Sequence, residues 1–281
     1  MTTPVLGGTL FVVSTPIGNL GDMSHRAVAT LGQVSLILCE DTRHSRALLD
    51  HYGITTPVAS LHEHNEARET ARVLARLVNG DSVALISDAG TPLLSDPGER
   101  LVRAAVDAGL TVAPIPGASA LLAALVGAGL TTETFTYLGF LARKGKERSV
   151  QLAMLSALPH TSVVYESANR VGDTLADLAS AIGPAASLRR AVVARELTKK
   201  FEEFRRGTVA ELAAIFQESA PRGEVVIILD GRSAEVLDEA VLRAAAQALR
   251  HEGATTREIV RSLVERHGAP RNLAYRLAQN A

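Results

Sequence analysis

The stretch Ser87 to Gly98, SDAGTPLLSDPG, decides how the chain is read. It follows the apolar run Val83 to Ile86, and an open α/β sheet holds its ligand where a buried strand stops in a carboxylate and glycine-proline turns. There the backbone leaves the sheet and its N–H groups become free. Asp88 offers an acceptor, Gly90 allows close approach to the backbone, and Pro92 and Pro97 stiffen the loop before a helix predicted over Glu99 to Ala108. The loop has neither the Gly-Lys-Ser/Thr ending of a P-loop nor a GxGxxG, so phosphate cradling is not its obvious task. A plain connector capped by Asp88 is the competing reading of the loop taken alone.

Outward from this loop, short buried runs alternate with helical periodicity, which predicts an α/β chain with a largely parallel sheet. Thr9 to Ser14 reads as the first strand, followed by the tight turn TPIGN (Thr15 to Asn19) and a helix beginning near Ser24. Val34 to Cys39 is the second, and it delivers Glu40, Asp41, Thr42, Arg43 and His44 at its tip; helix capping by Asp41 or Thr42 accounts for part of that set. LHEHNE (Leu61 to Glu66) puts His62 and His64 on one side of an extended segment. Without HExxH spacing or a third ligand, this reads as substrate contact or helix entry ahead of a metal site. Glu66 to Val78 is an amphipathic helix whose Arg68, Arg72 and Arg76 form a solvated face. Thr111 to Ile115 is a further strand, and PGASA (Pro116 to Ala120) breaks the pattern before an apolar helix over Leu121 to Val126, so a domain boundary is placed there. Beyond it, Thr131 to Phe140 reads as turn-rich. Ser162 to Tyr165, Ala191 to Ala194 and Val225 to Leu229 read as strands closed by Glu166, by Arg195 with Glu196, and by Asp230. The expected division is 1–116, 117–232 and a helical tail over 233–281, and two domains with facing strand tips form a cleft.

Composition sets the outer limits. With 281 residues, 47% hydrophobic and 21% charged, the chain suits a folded protein of about two domains. A net charge of −1 excludes a generally basic nucleic-acid binder and leaves room only for local contacts. Lysine is rare, occurring four times, as Lys144 with Lys146 and as Lys199 with Lys200. Arg143, Lys144, Lys146 and Arg148 in ARKGKERS (Ala142 to Ser149) suit a phosphate backbone, and an exposed charged loop explains them equally well. Cys39 is the only cysteine, so no disulfide or thiolate metal site is available and a reducing compartment fits. The opening MTTPVLGGTLFVV lacks a positive segment before its apolar run, which argues against a secretory signal. The uncharged stretch from Ala108 to Thr132 is interrupted by Pro114 and Pro116 and reads as strand, linker and buried helix, not as a membrane span.

Eight segments in order, TPIGNLGDMSHRA, CEDTRHSRALL, LHEHNE, ISDAGTPLLSDPG, PIPGASA, GFLARKGKER, YESANR and ARELTKKFEE, closely resemble the ribosomal RNA small subunit methyltransferase I branch of the tetrapyrrole methylases, from about Leu10 to Gly231. The resemblance implies a two-domain class III methyltransferase, usually a homodimer and cytoplasmic, that uses S-adenosylmethionine to methylate a cytidine 2′-hydroxyl of 16S rRNA in the small ribosomal subunit. It places the cofactor against Pro16, Ile17, Gly18, Asp88, Gly90, Thr91, Ser119, Ala120 and Tyr165. Arg43, His44, Lys144, Lys146 and Arg148 are the implied RNA contacts, and no metal is implied. Methyl transfer needs an aligned acceptor oxygen and a group to take its proton. Asp41 and Lys199 are both candidates for that base, Lys199 only with a lowered pKa, which Glu196 can shift in either direction. Capping or ion pairing explains either residue as well. Ala118 and Ala142 stand where many members carry proline, which loosens two loops without removing a functional group.

Within the tail, TTREIVRSLVERHGAPRNLAYRLA resembles a short helix-turn-helix, with Thr255 as cap and Gly268-Ala-Pro as turn. Both RNA docking and packing on a partner subunit suit it, and RNA docking is favoured. A tetrapyrrole-precursor methylase would share the cofactor cleft, but the basic loop and the EDTRH and HEHNE segments argue against it. An assembly factor without catalysis would have no use for TPIGN and SDAGTP.

Overall fold

The computed structural model describes residues 8–62, 64–232, 239–267, 269 and 271–281. They fall into two compact units, Met1–Asp230 and Gly231–Ala281.

The first unit opens with a five-stranded, wholly parallel sheet in the order β3-β2-β4-β1-β5, made of β1 (Thr9–Val13), β2 (Leu36–Cys39), β3 (Val58–Ser60), β4 (Val83–Leu85) and β5 (Thr111–Ile115). Helices α1 (His25–Gln33), α2 (Thr42–His51), α3 (Glu66–Val78) and α4 (Glu99–Asp107) connect its strands. Period-two alternation in β2 sorts the core: Ile37 and Cys39 pack with Ala27, Leu31 and Leu49 on one face, while Leu36 and Leu38 pack with Val73, Leu77 and Leu101 on the other. Fully burying each leucine, isoleucine or valine among them contributes about 1.5–3 kcal/mol, so helices cover both faces and the strands read as continuous apolar runs. Ser24 caps α1 by accepting from Ala27 N. On α3, Arg68 and Arg72 are exposed as expected, and their guanidinium groups meet the buried Glu69 at 3.2 and 3.7 Å.

The chain then passes through α5 (Ala120–Ala128) into a second sheet, β6 (Phe135–Phe140), β7 (Thr161–Ser167), β8 (Arg190–Arg195), β9 (Glu203–Thr208) and β10 (Glu224–Leu229), in the order β6-β7-β10-β8-β9. Only β6 and β7 run parallel; β10 is antiparallel to both β7 and β8, and β8 to β9. The expectation of a largely parallel sheet therefore fails in this half. A strand buried on both faces gives the same apolar run whichever way its neighbours point, so composition could not report the direction. Helices α6 (Gly145–Ala157), α7 (Val171–Ile182) and α8 (Val209–Glu218) cover one face, and α5 covers the other through Leu121, Ala124 and Leu125. Strand β9, EFRRGT, has no apolar run to announce it; it is a charged edge strand, where polar side chains discourage further pairing.

Close packing of α7 on α8 depends on Gly172, where an added Cβ would lie 2.6 Å from the Phe216 carbonyl oxygen. Replacing glycine by alanine in a helix gains at most about 1 kcal/mol, whereas overpacking against backbone costs about 1–3 kcal/mol. Gly172→Ala is therefore expected to lower the urea midpoint; a midpoint that rises would show that the helices separate freely.

Among the described residues, the second unit holds three helices, α9 (Glu239–His251), α10 (Thr256–His267) and α11 (Arg271–Gln279), closed on Leu242, Ala246, Ile259, Leu263, Ala274 and Leu277. Thr255 caps α10 as expected: its hydroxyl accepts from Glu258 N at 3.3 Å, and Glu258 accepts from Thr255 N at 2.8 Å. Of the expected turn, Gly268 and Pro270 lie outside the described residues. No helix among the described residues is long and apolar enough to cross a membrane.

Candidate active site

The SDAGTPLLSDPG loop leaves β4 and is tied to the turn after β1 by a reciprocal backbone pair, Thr15 N to Gly90 O at 2.8 Å and Gly90 N to Thr15 O at 3.1 Å. The Ser87 hydroxyl donates to Gly90 O at 3.2 Å, and Thr91 Oγ1 donates to Ala118 O at 3.1 Å, which joins the loop to PGASA. Gly90 has a φ of 81°, Gly98 125°, and the non-glycine residues Leu93 and Ser95 lie at 74° and 72°. Left-handed backbone at such residues costs about 1–3 kcal/mol each and concentrates at functional sites. Glu66 braces the loop's far end, accepting from Gly98 N at 3.1 Å and Arg100 N at 3.0 Å at the start of α4. That is the structural work of the LHEHNE segment, whose His62 and His64 rings lie 6.0 Å apart.

Between this loop and the second sheet lies a cleft of ≈ 440 Å³. Ile17, Asp88, Gly90 and Thr91 line it from the first half, and Ser119, Ala120 and Tyr165 from the second. Pro16 and Gly18 are not among its lining residues. Ser119 caps α5, its hydroxyl accepting from Leu122 N. Tyr165 is fixed by accepting from Leu121 N at 3.0 Å and by edge contacts with Tyr137 and Phe140, and burial raises its phenol pKa. Sequence reasoning missed Asp96, Glu166, Leu197 and Glu224 as site residues, all on the wall. The signals available for two of them were position alone: Asp96 lies inside the SDAGTPLLSDPG loop, and Glu166 follows an apolar run.

A model of the family Tetrapyrrole (Corrin/Porphyrin) Methylases matches residues 9–213. A ribosomal RNA small subunit methyltransferase I from Synechocystis sp. is 45% identical over 96% of this chain and 97% of its own length. The protein of that name from Xylella fastidiosa is 46% identical over 98% and 99%. The chain belongs to this family. The uroporphyrin-III C-methyl transferase of Thermus thermophilus, solved in complex with S-adenyl homocysteine, shares the fold at a TM-score of 0.57 and 18% identity, covering 80% of this chain and 97% of that one.

Two family-motif residues expected as the base are otherwise engaged. Asp41 is the N-cap of α2: it accepts from Arg43 N at 2.8 Å, and that bond together with the Arg43 guanidinium lowers its pKa. It reaches the cleft only through its backbone, Asp41 N donating to Asp88 Oδ1 at 3.2 Å. Lys199 donates to Glu196 at 3.0 Å and to Glu224 at 3.1 Å. Burial acts to lower its pKa, but the two carboxylates outweigh it and the net shift is upward. Both side chains are thus engaged within the fold, Asp41 as a helix cap and Lys199 in ion pairs that favour its protonated form. Lys199 also packs its stem under Gly18, where a Cβ would sit 2.5 Å from Lys199 Cγ.

The basic segment also divides. Arg143, Lys144 and Lys146 are exposed around the start of α6, as are Arg43 and His44 at the start of α2. Arg148 turns inward: it donates to Asp177 Oδ2 at 2.6 Å, to Thr174 Oγ1 at 3.1 Å and to the Ala142 carbonyl at 3.2 Å. Its guanidinium is used up inside the fold, which corrects the expectation that it meets RNA.

Proposed function

We propose that the protein transfers the methyl group of S-adenosylmethionine to the 2′-hydroxyl of a cytidine in 16S rRNA of the small ribosomal subunit. The observation that carries this reading is the cleft in which the TPIGN, SDAGTP and PGASA turns meet around Gly90. Its ≈ 440 Å³ lies in the range of small-molecule sites, and its wall combines apolar Ile17 and Leu197 with the carboxylate of Asp88. That set suits a cationic amino acid joined to a nucleoside: Asp88 would hold an ammonium or ribose hydroxyl, and Ile17 and Leu197 would flank the base. S-adenosylmethionine, when bound, supplies an electrophilic methyl on its sulfonium. The names of the curated relatives support ribosomal RNA as the acceptor. The exposed Arg43, His44, Lys144 and Lys146 supply positive charge for it.

The same reading makes the protein a cytoplasmic homodimer with functional parts at 1–116, 117–232 and 233–281. Leu122 and Val126, one turn apart on α5, are 51% and 74% exposed and form an apolar stripe suited to a second copy. Light scattering should give twice 29.6 kDa.

The deciding experiment offers labelled S-adenosylmethionine with small subunits, naked 16S rRNA and a tetrapyrrole precursor in parallel. Label on rRNA ribose is expected; label on the tetrapyrrole alone would overturn the reading. Replacing Lys144 and Lys146 together by alanine should raise KM for the RNA and flatten its salt dependence, by about 0.7 in logarithmic slope for each phosphate that is no longer neutralised. S-adenosylhomocysteine binding should stay unchanged. An unaltered salt slope would remove both lysines from the interface.

A further inference from the structure

Five titratable side chains line the cleft, Asp88, Asp96, Tyr165, Glu166 and Glu224, and their bonding separates them. Asp88 accepts from Asp41 N, and Glu224 is paired with Lys199. Glu166 is wholly buried and committed to Ser167 N at 2.8 Å, Thr174 Oγ1 at 2.7 Å and Arg170 at 3.4 Å. Tyr165 is fixed by Leu121 N and its proton is held tightly. Among the described residues, no hydrogen bond or ion pair engages the Asp96 carboxyl. A carboxyl that faces a cleft with its oxygens uncommitted is able to take up a proton there.

We propose that Asp96 is the catalytic residue that accepts the proton of the acceptor hydroxyl. The assignment rests on the reading of the protein as a ribose 2′-O-methyltransferase. As the hydroxyl oxygen bonds to the methyl carbon and the carbon–sulfur bond breaks to leave a neutral thioether, the O–H bond breaks and its proton passes to the Asp96 carboxylate, then to water. Three features of the chain equip Asp96 for this.

The first is position: the residue follows the left-handed Leu93 and Ser95, and the Ser95 hydroxyl is fastened to Tyr137 Oη of β6 at 2.8 Å. Gly139, beside a bulge in β6, leaves room for that contact, since a Cβ there would stand 2.9 Å from Ser95 Oγ. The second is that the turn is held in a costly backbone conformation, which its surroundings must over-determine. The third is the field. Burial, and then the carboxylates Glu40 after β2 and Asp88 after β4, push Asp96 up to about 6, while Tyr137 on β6 and Tyr165 on β7 complete the titratable groups around it. A base poised near the working pH is both deprotonated and able to hold a proton.

The test compares wild type with Asp96→Asn, which keeps size and shape. On small subunits at saturating cofactor, Asp96→Asn is expected to slow methyl transfer by about 10²- to 10³-fold, the range for loss of a general base. S-adenosylhomocysteine titration should give the same Kd for both, which also shows that the variant folds. The wild-type rate should rise with pH through about 6, and a carboxyl carbon resonance titrating there should be missing from Asp96→Asn. Full activity in Asp96→Asn overturns the assignment, and so does a matching loss of S-adenosylhomocysteine affinity, which would make Asp96 a cofactor ligand. Wild type that methylates no RNA refutes the functional reading and this assignment with it, whereas active wild type beside an equally active variant refutes the assignment alone.

Discussion

Gly90→Val is expected to lose S-adenosylhomocysteine affinity by about 10²-fold and, with it, methyl transfer. Gly90 lies at φ 81°, where a β-branched residue is a genuine outlier, and its Cβ would stand 3.1 Å from Ile17 Cγ2 on the cleft wall. Holding valine there costs about 1–3 kcal/mol. The loop escapes that cost by leaving the left-handed region, which breaks the two backbone bonds to Thr15, worth about 1 kcal/mol each. Either way the binding-competent loop becomes a minor state, and about 3 kcal/mol corresponds to roughly two orders of magnitude in apparent Kd. Gly80→Val is the matched control. Gly80 has φ 94°, with nothing within 4 Å of an added Cβ and no place on the cleft, so it should lose stability yet bind normally. Calorimetric titration of both variants separates strain from site. Wild-type affinity in Gly90→Val would mean that the cofactor does not approach this loop.

Much of this site was legible because its parts are strand tips. An apolar run that halts in Asp88-Ala-Gly90 or in Ser119-Ala120 has one physical reading, a backbone released from a sheet, and those tips do converge on the cleft. Strand direction in the second half was not legible, because β8 and β10 are buried on both faces and carry no alternation to orient them. The proton acceptor was not legible either. Asp41 and Lys199 looked reactive in a list of charges, yet each is neutralised by a partner brought in by the fold: the N-terminus of α2 for Asp41, and Glu224, 25 residues away in sequence, for Lys199. Asp96 was in view within the opening stretch. Its distinction is the absence of a partner among the described residues, which a sequence cannot display. Arginine posed the same difficulty. Nothing in ARKGKERS separates Arg143, which stays in solvent, from Arg148, which closes a buried network around Thr174 and Asp177.

Arg189 and Arg190 make that point measurable, since they are adjacent in sequence and opposite in environment. Arg190 pairs with Asp230 at 2.8 Å while its side chain remains 61% exposed. Arg189 is 6% exposed and spreads its guanidinium over backbone carbonyls, Nε to Asp230 at 2.9 Å, one terminal nitrogen to Ser156 at 2.7 Å, the other to Leu155 at 3.0 Å and Leu158 at 3.4 Å. Leu155 and Ser156 belong to the last turn of α6, whose carbonyls have no partner within the helix and which carries the negative end of its dipole. One side chain therefore closes α6 and ties it to the end of β10. Arg189→Met keeps the stem but strands those carbonyls, at about 1–3 kcal/mol for each that water cannot reach. The expected loss is about 3–5 kcal/mol, or a fall in Tm of roughly 10 °C for a chain of this size. Arg189→Lys should fall between, because an ammonium lacks the planar fork that reaches several acceptors at once. Arg190→Met removes only a solvent-screened pair and should cost under about 1 kcal/mol. Thermal unfolding of the three variants ranks them directly. If Arg189→Met melts with Arg190→Met, water satisfies the end of α6 and the arginine is dispensable; if it melts well below, the fold of the second half depends on a residue that its sequence neighbour imitates.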